Sequence, residues 1–142
     1  MTWTLDQVPQ QKGRLAVVTG ANIGLGFETA MALVAKNCDL VLACRNMEKA
    51  EAAKATIHAK YPKAKVTCMQ LDLSSLKSVR AFATAFAEKY SRLDLLINNA
   101  GIMMPPYSLS EDGFESQFAA NYIGHFALTG QLLPLIVKTP GA

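Results

Sequence analysis

The sequence has few charged residues and no long apolar run, and each shortage excludes a class of protein. Only 18% of its 142 residues are charged while 51% are hydrophobic, a balance that is typical of a globular chain and excludes a disordered one. No apolar run reaches the roughly 18 residues that a membrane-spanning helix needs, so no membrane span is expected. The net charge is +3 and the basic residues are scattered, so nucleic acid is not an expected partner.

Cysteine is scarce as well. Cys38, Cys44 and Cys68 are odd in number and share no close spacing, which argues against a disulfide framework and against a metal site. We expect buried thiols in a reducing compartment. Residues 1–6 contain neither the basic nor the apolar segment of a signal peptide, so a cytoplasmic location is expected.

Short apolar runs alternate regularly with longer helical patterns. The runs, which predict parallel strands buried on both faces, span residues 15–18, 40–43, 66–69 and 93–97. The predicted helices span residues 27–36, 47–60, 76–90 and 112–136. Ser74 or Ser75 is expected to cap the third helix, and Ser110 the fourth. This order predicts an α/β fold, a Rossmann-type doubly wound parallel sheet with strand order 3-2-1-4, over residues 13–142 after an extension at 1–12.

A glycine-rich turn joins the first predicted strand to the first helix. Gly20, Gly24 and Gly26 lie in this turn, where glycine lets the backbone bend tightly and approach a pyrophosphate. The free N–H groups of the following helix would then face the anion. A glycine pattern also occurs in turns that bind nothing, but the flanking strand and helix favour a dinucleotide site.

The end of the second strand indicates which dinucleotide fits. An NAD site usually has an acidic residue at this place, and this chain has Arg45 and Asn46 instead. A guanidinium there can pair with the 2′-phosphate of NADP, so NADP is the expected cofactor and NAD is less favoured. The alternative is that Arg45 is a solvated loop residue.

Two further strand ends contribute to the same edge of the sheet. Asp72 follows the third strand, where it could accept a hydrogen bond from the adenine amino group or support the start of the next helix. Asn99, Ala100 and Gly101 follow the fourth strand. With strand order 3-2-1-4 this loop faces the glycine turn across the switch point, where such sheets bind ligands.

The chain contains four motifs in order: Thr-Gly-x-x-x-Gly-Leu-Gly, the strand-end Arg, Asp-Leu and Asn-Asn-Ala-Gly. Together they resemble the short-chain dehydrogenase/reductase family, and the resemblance extends from about Gly13 onward. The chain is most similar to the retinol-dehydrogenase-like, NADP-using branch of that family. The resemblance implies an oxidoreductase that transfers hydride between NADP(H) and a small-molecule carbonyl or alcohol. The residues that it assigns to the cofactor are Gly20, Asn22, Ile23, Gly24, Leu25, Gly26, Arg45, Asn46, Asp72, Leu73, Asn99, Ala100 and Gly101.

The same resemblance assigns a catalytic role to Asn121, which matches the family's asparagine on the fourth helix. The residues themselves also allow a satisfied core amide at this position. His125 is expected to be a core or interface residue, since a lone histidine on a mostly apolar helix is seldom catalytic. Met103 and Met104 could line a substrate pocket or simply pack.

The family's reaction also needs a Ser and a Tyr-x-x-x-Lys, and that pair is missing from the expected place. Tyr61 is followed by Lys65, but these residues open the third strand. The resemblance therefore implies an incomplete Rossmann domain that is inactive by itself. An unpaired fourth strand would be an edge that favours pairing, so a homo-oligomer through this edge and the 112–136 helix is possible.

Two other functions fit the residues. The chain could be a non-catalytic module that binds NADP, or an interaction protein that pairs through its sheet edge. Tight NADP binding without turnover would favour the first, and the absence of nucleotide binding would favour the second.

Overall fold

Four parallel strands form a sheet with the order β3-β2-β1-β4 in the computed structural model of the chain, which describes residues 3–142. The strands are β1 (Leu15–Thr19), β2 (Asp39–Cys44), β3 (Val66–Gln70) and β4 (Leu95–Ile97). This arrangement confirms the predicted doubly wound sheet and its strand order. Residues 1 and 2 of the predicted extension lie outside the described part, and a short 3-10 turn covers Leu5–Gln7.

Helices lie on both faces of the sheet. They are α1 (Gly24–Ala35), α2 (Met47–Lys60), α3 (Leu76–Lys89), α4 (Ser116–Phe118) and α5 (Gly124–Lys138). A π-helical turn, Ala119–Ile123, joins α4 to α5. None of the helices between residues 3 and 142 is long and apolar enough to cross a bilayer.

The central strand β1 is buried on both faces because its side chains alternate between two hydrophobic cores. Ala16 and Val18 belong to the core that includes Ala30 of α1 and Ile57 of α2. Leu15 and Val17 belong to the other core, which includes Phe86, Leu128 and Leu132 from α3 and α5. Full burial on both sides explains why the strand is a continuous apolar run with no polar alternation.

The long helical segment begins later than the sequence predicts. Ser110 was expected to cap it near residue 112, but the structure starts α4 at Ser116. The cap is Glu115, whose carboxylate accepts from the N–H groups of Gln117 and Phe118 at 2.8 Å each. Ser110 instead closes a turn, since its carbonyl accepts from Gly113 at 3.0 Å.

Two other elements start two or more residues away from their predicted positions, while most of the remaining boundaries agree to within one residue. Helix α1 begins at Gly24 rather than residue 27, so the last glycines of the turn already belong to the helix. Strand β4 begins at Leu95 rather than residue 93, because Leu93 donates its N–H to the Thr139 hydroxyl at 3.0 Å. Of the two candidate caps for α3, the structure uses Ser75.

The cysteines are free thiols in the structure. Cys38 and Cys44 are buried and Cys68 is half-buried. Burial raises the pKa of the Cys38 thiol to about 11, so this side chain is a neutral hydrophobic group at physiological pH. No cluster of metal-ligating side chains occurs in the part of the chain that the structure describes.

A buried carboxylate fixes the amino end of β1 beside the start of β4. The Asp94 side chain is 1% exposed, and it accepts from the Leu15 N–H at 2.8 Å and from the Arg92 guanidinium at 2.5 and 2.8 Å. The bond from Arg92, assisted by Leu15 and Arg14, holds the pKa of Asp94 below its ordinary 3.8 against the opposing effect of burial.

We therefore expect Asp94→Asn to change how stability depends on pH. Since the pKa of Asp94 is lower in the folded chain, its stabilising effect is complete above pH 3.8 and is lost as the pH falls through the folded value. The variant should lose about 1–3 kcal/mol of unfolding free energy at neutral pH and lose less on acidification than the wild type. Urea unfolding across the acid range measures both, with Asp6→Asn at an exposed position as control. If the unfolding free energies of the variant and the wild type decrease in parallel as the pH falls, this role for Asp94 is contradicted.

Candidate functional site

A cleft of about 390 Å³ lies along the carboxyl edge of the sheet, over the ends of β1, β2 and β4. All the predicted cofactor residues except Gly24 line it. Lys49, Ala43, Leu71, Ile102 and Ala120 line it as well. The structure therefore brings together predicted residues that come from four separate parts of the sequence.

A larger cavity, of about 730 Å³, lies near the opposite edge, before β2 and β3. Its lining includes Lys12, Lys60, Lys63 and Lys65, and it contains no residue of the glycine turn. Size alone does not identify a site. We take the smaller cleft as the candidate site because parallel sheets bind ligands at the carboxyl ends of their strands.

The glycine turn and the loop after β4 approach each other more closely than side chains would allow. Gly20 has a φ of +64°, and a Cβ placed on it would lie 2.9 Å from the Cα of Ala100. A Cβ on Gly26 would lie 2.6 Å from the Gly20 carbonyl oxygen and would overlap the Asn99 amide. These two glycines therefore allow the glycine turn, the start of α1 and the loop after β4 to pack closely beside the cleft, as a dinucleotide site requires.

Helix α1 begins without a capping side chain. Its N-cap residue is Ile23, whose side chain offers no hydrogen-bond acceptor to the first turn. By contrast, Asn46, Ser75 and Glu115 cap the helices α2, α3 and α4. The N–H groups at the start of α1 thus face the cleft without a side-chain partner, and a helix start of this kind attracts anions.

Two cationic side chains line the cleft beyond β2. Arg45 is exposed and forms no ion pair with any residue from 3 to 142. Lys49 lies four residues further on, in the first turn of α2, and sequence analysis did not single it out. Arg45 precedes the cap of α2, so the two residues do not share a helix face and their spacing gave no signal for Lys49. Asn46, between them, accepts from the Lys49 N–H at 2.9 Å and caps α2.

Asp72 lines the cleft with its carboxylate already engaged. Its Oδ1 accepts from the N–H and the hydroxyl of Ser74, at 2.9 and 2.6 Å. This bonding favours the interpretation in which Asp72 orders the chain ahead of α3. Its place in the cleft keeps a contact with adenine as a prediction.

The Thr19 hydroxyl ties the two loops of the cleft together. It accepts from the N–H groups of Asn99 and Ala100, each at 2.9 Å. In return, the Asn99 side chain donates to the Thr19 carbonyl at 2.9 Å. Sequence analysis assigned no role to Thr19, although a hydroxyl at the end of a fully buried strand needs partners.

Asn121 lies in the π-helical turn, beside the cleft rather than in its lining. Its Oδ1 accepts from the Ile102 N–H and its Nδ2 donates to the Ile102 carbonyl, both at 2.8 Å. The residue is exposed, so the alternative of a core amide is wrong. The side chain instead fastens the long helical segment to the loop after β4.

The two methionines of this loop are exposed. Met103 and Met104 therefore do not pack into the core, which leaves a role in a substrate pocket as a prediction. Met104 has a φ of +49°, and its N–H donates to the Gln117 side chain at 2.7 Å.

The family model for short chain dehydrogenases matches residues 14–142. The chain belongs to this family. The human protein named retinol dehydrogenase 13 is 49% identical over 121 residues, which cover 85% of this chain and 37% of that relative. The chain thus spans about two fifths of the length of the curated relatives that it matches.

Solved structures of the family share the fold. An uncharacterised protein from Mycobacterium paratuberculosis superposes with a TM-score of 0.84 at 45% identity, covering 95% of this chain and 47% of that one. A short chain dehydrogenase from Shigella flexneri, described as complexed with NADP, gives a TM-score of 0.77 at 28% identity, covering 91% of this chain and 56% of that one.

We expect Gly26→Ala to disrupt the cleft. The added methyl group would press on the Gly20 carbonyl and the Asn99 amide, and overpacking of this kind costs about 1–3 kcal/mol. Gly130→Ala is the matched control, because a Cβ there meets nothing within 4 Å and should stabilise helix α5 by about 0.5–1 kcal/mol. Denaturant unfolding of both variants tests the prediction, and equal effects would contradict it.

Proposed function

We propose that this chain binds NADP(H) and forms the cofactor half of an oxidoreductase that transfers hydride between NADP(H) and a small-molecule carbonyl or alcohol. One observation supports this most. The start of α1, which no side chain caps, lies in the same cleft as Gly20 and Gly26, two positions where the backbone has no room for a side chain. Membership of the short chain dehydrogenase family supports the reaction class.

The donors of the cleft fit the two phosphate groups of the cofactor separately. The diphosphate would lie against the first turn of α1, where N–H groups and the helix dipole favour an anion. The 2′-phosphate would lie near Arg45, with Lys49 as a second cation that the sequence did not indicate. The NADP complex of the Shigella relative supports this choice over NAD.

When bound, NADPH supplies the hydride. The chain's own residues bind and orient it. Ala100 and Gly101 leave room at the sheet edge for the ribose, and Thr19 fixes the loop that contains them. The Asn121 side chain holds the backbone of Ile102, the next residue of that loop, so side-chain-to-backbone hydrogen bonds would set the wall of the cleft on the nicotinamide side. The family's Ser and Tyr-x-x-x-Lys, which would move the proton, have no counterpart in this site.

A homo-oligomer is a second part of the proposal. Phe118, Tyr122 and Phe126 stack along one side of the helical segment, with centroids 5.2 and 6.5 Å apart, and are 49%, 58% and 72% exposed. Strand β4 is an edge of the sheet. An aromatic stripe of this kind beside an open edge is suited to pairing with a second copy.

Replacing Arg45 with Asp should shift the cofactor preference. Losing a charge-assisted hydrogen bond to the 2′-phosphate should weaken NADPH binding roughly ten- to hundredfold, and NADH binding should change little. Fluorescence titration with both cofactors measures the ratio. Arg80→Asp, at an exposed position on α3, changes the net charge equally and is the control. Unchanged NADPH affinity in Arg45→Asp would refute the assignment, and no NADPH binding by the wild type would refute the proposed function.

The oligomer has its own test. We expect sedimentation of the wild-type chain to show a species larger than a monomer, and Phe126→Asp to reduce it, because a carboxylate would have to be buried in the contact. Lys138→Asp is the control on the same helix, at an exposed position outside the stack. A wild-type monomer at high concentration would contradict the assembly.

A further inference from the structure

His125 connects the long helical segment to the cleft, although the sequence suggested only a core or interface residue. Its ring is buried, with the residue 8% exposed, and its two nitrogens have different partners. Nε2 lies 2.9 Å from the Thr19 hydroxyl oxygen, and Nδ1 lies 3.2 Å from the Asn121 carbonyl oxygen. Both partners belong to the structure that surrounds the candidate cofactor site.

The partners determine which nitrogen bears the proton. The Thr19 oxygen has two lone pairs, and the N–H groups of Asn99 and Ala100 occupy both. Its hydroxyl hydrogen must therefore point outward, and His125 Nε2 at 2.9 Å is a better acceptor than the Ile97 carbonyl at 3.4 Å. Since a carbonyl can only accept, Nδ1 must donate to Asn121. Both contacts require the same neutral tautomer.

We propose that His125, as a neutral imidazole protonated on Nδ1, is a positioning residue for the bound cofactor. The ring joins the Asn121 carbonyl to the Thr19 hydroxyl, and Thr19 in turn holds the Asn99–Ala100 loop against the glycine turn. The helical segment and the glycine turn are thereby held in one relative position. This inference rests on the proposed NADP function, because it concerns the geometry of that site.

Protonation of the ring would break the link. An imidazolium would direct an Nε2–H at an oxygen that already accepts two N–H bonds, so one of the bonds to Asn99 or Ala100 would have to yield. The loop after β4 would then lose part of its attachment to Thr19. Cofactor affinity should therefore fall when His125 becomes charged.

The surroundings keep the ring neutral. Burial lowers the pKa of His125 below its ordinary 6.5, only partly offset by the bond to Asn121. Its direct partners are uncharged, and Asp72, on the loop that packs against Gly124, is engaged with Ser74. The other ionisable groups on α3 and the helical segment are exposed or half-buried: Lys77, Arg80, Glu88, Lys89, Glu115, Tyr122 and Lys138. The neutral link is thus complete above pH 6.5 and is lost as the pH falls through the folded value.

The chain contains an internal reference for the tautomer. His58 lies on α2, and its Nε2 is 3.0 Å from the Ala64 carbonyl, so that nitrogen must be the donor. Nitrogen-15 spectra of the imidazole rings in the full chain at neutral pH should therefore show opposite tautomers for the two histidines. A protonated Nε2 on His125, or a charged ring, would overturn the inference.

Cofactor titrations test the positioning role. His125→Leu removes the acceptor for Thr19 and should weaken NADPH binding roughly two- to tenfold. His125→Gln keeps an acceptor and a donor on one side chain and should restore much of the affinity. His58→Gln, far along α2 from the cleft, should bind as the wild type does. Circular dichroism of each variant shows whether it is folded.

The pH dependence separates positioning from a general loss of structure. We compare the Kd of His125→Leu with that of the wild type at each pH. Since both proteins bind the same cofactor, the effect of titrating the cofactor's own phosphate cancels in the ratio of the two Kd values. This ratio should approach one as the pH falls through the folded pKa of His125, which lies below 6.5, because the wild-type ring then becomes charged. A ratio that does not change with pH, or a Gln variant as weak as the Leu variant, would overturn the inference. An Nε2–H ring in a chain that binds NADPH would overturn it while leaving the proposed function intact.

Discussion

The cleft depends on the hydrogen bonds that the hydroxyl group of Thr19 accepts. A single oxygen at the end of the central strand binds two consecutive N–H groups of the loop after β4. Because Thr19 directly precedes Gly20, the same residue sets where the glycine turn begins. Two loops that are some eighty positions apart in sequence are thus fixed together by bonds to one residue. Together with the pairing of β1 and β4, these bonds maintain the close approach of Gly20 to Ala100.

The fold follows from the sequence because its signals are local and repeated. Continuous apolar runs such as residues 15–18 occur where a strand is buried on both faces, and the structure places β1 between two cores for that reason. The alternation of these runs with helices leaves few topologies, which is why the strand order could be predicted as well. The limits of α2 were predicted correctly since Asn46 caps it directly.

The errors come from tertiary partners that no local pattern reveals. Strand β4 is shorter than its apolar run because Thr139, near the other end of the chain, binds the Leu93 N–H. Glu115 rather than Ser110 caps the helical segment, because Ser110 lies in a turn that its carbonyl closes by accepting from the Gly113 N–H. In the cleft, the glycines and Arg45 could be found from their residue types, whereas Lys49 and His125 depend on which side of a helix faces the sheet edge. For His125 the sequence indicated burial correctly and gave no sign of its partners.

The absence of a cap on α1 has a consequence for the energetics of the free protein. A serine in place of Ile23 would satisfy donors at the helix start and stabilise the chain by about 1 kcal/mol in isolation. The same hydroxyl would then compete with any anion for those donors. An isoleucine there leaves the apoprotein less stable than it could be, and a ligand that satisfies the donors raises the melting temperature further as its concentration increases above its Kd. A coenzyme diphosphate bound there would satisfy the donors that the polypeptide leaves without a side-chain partner.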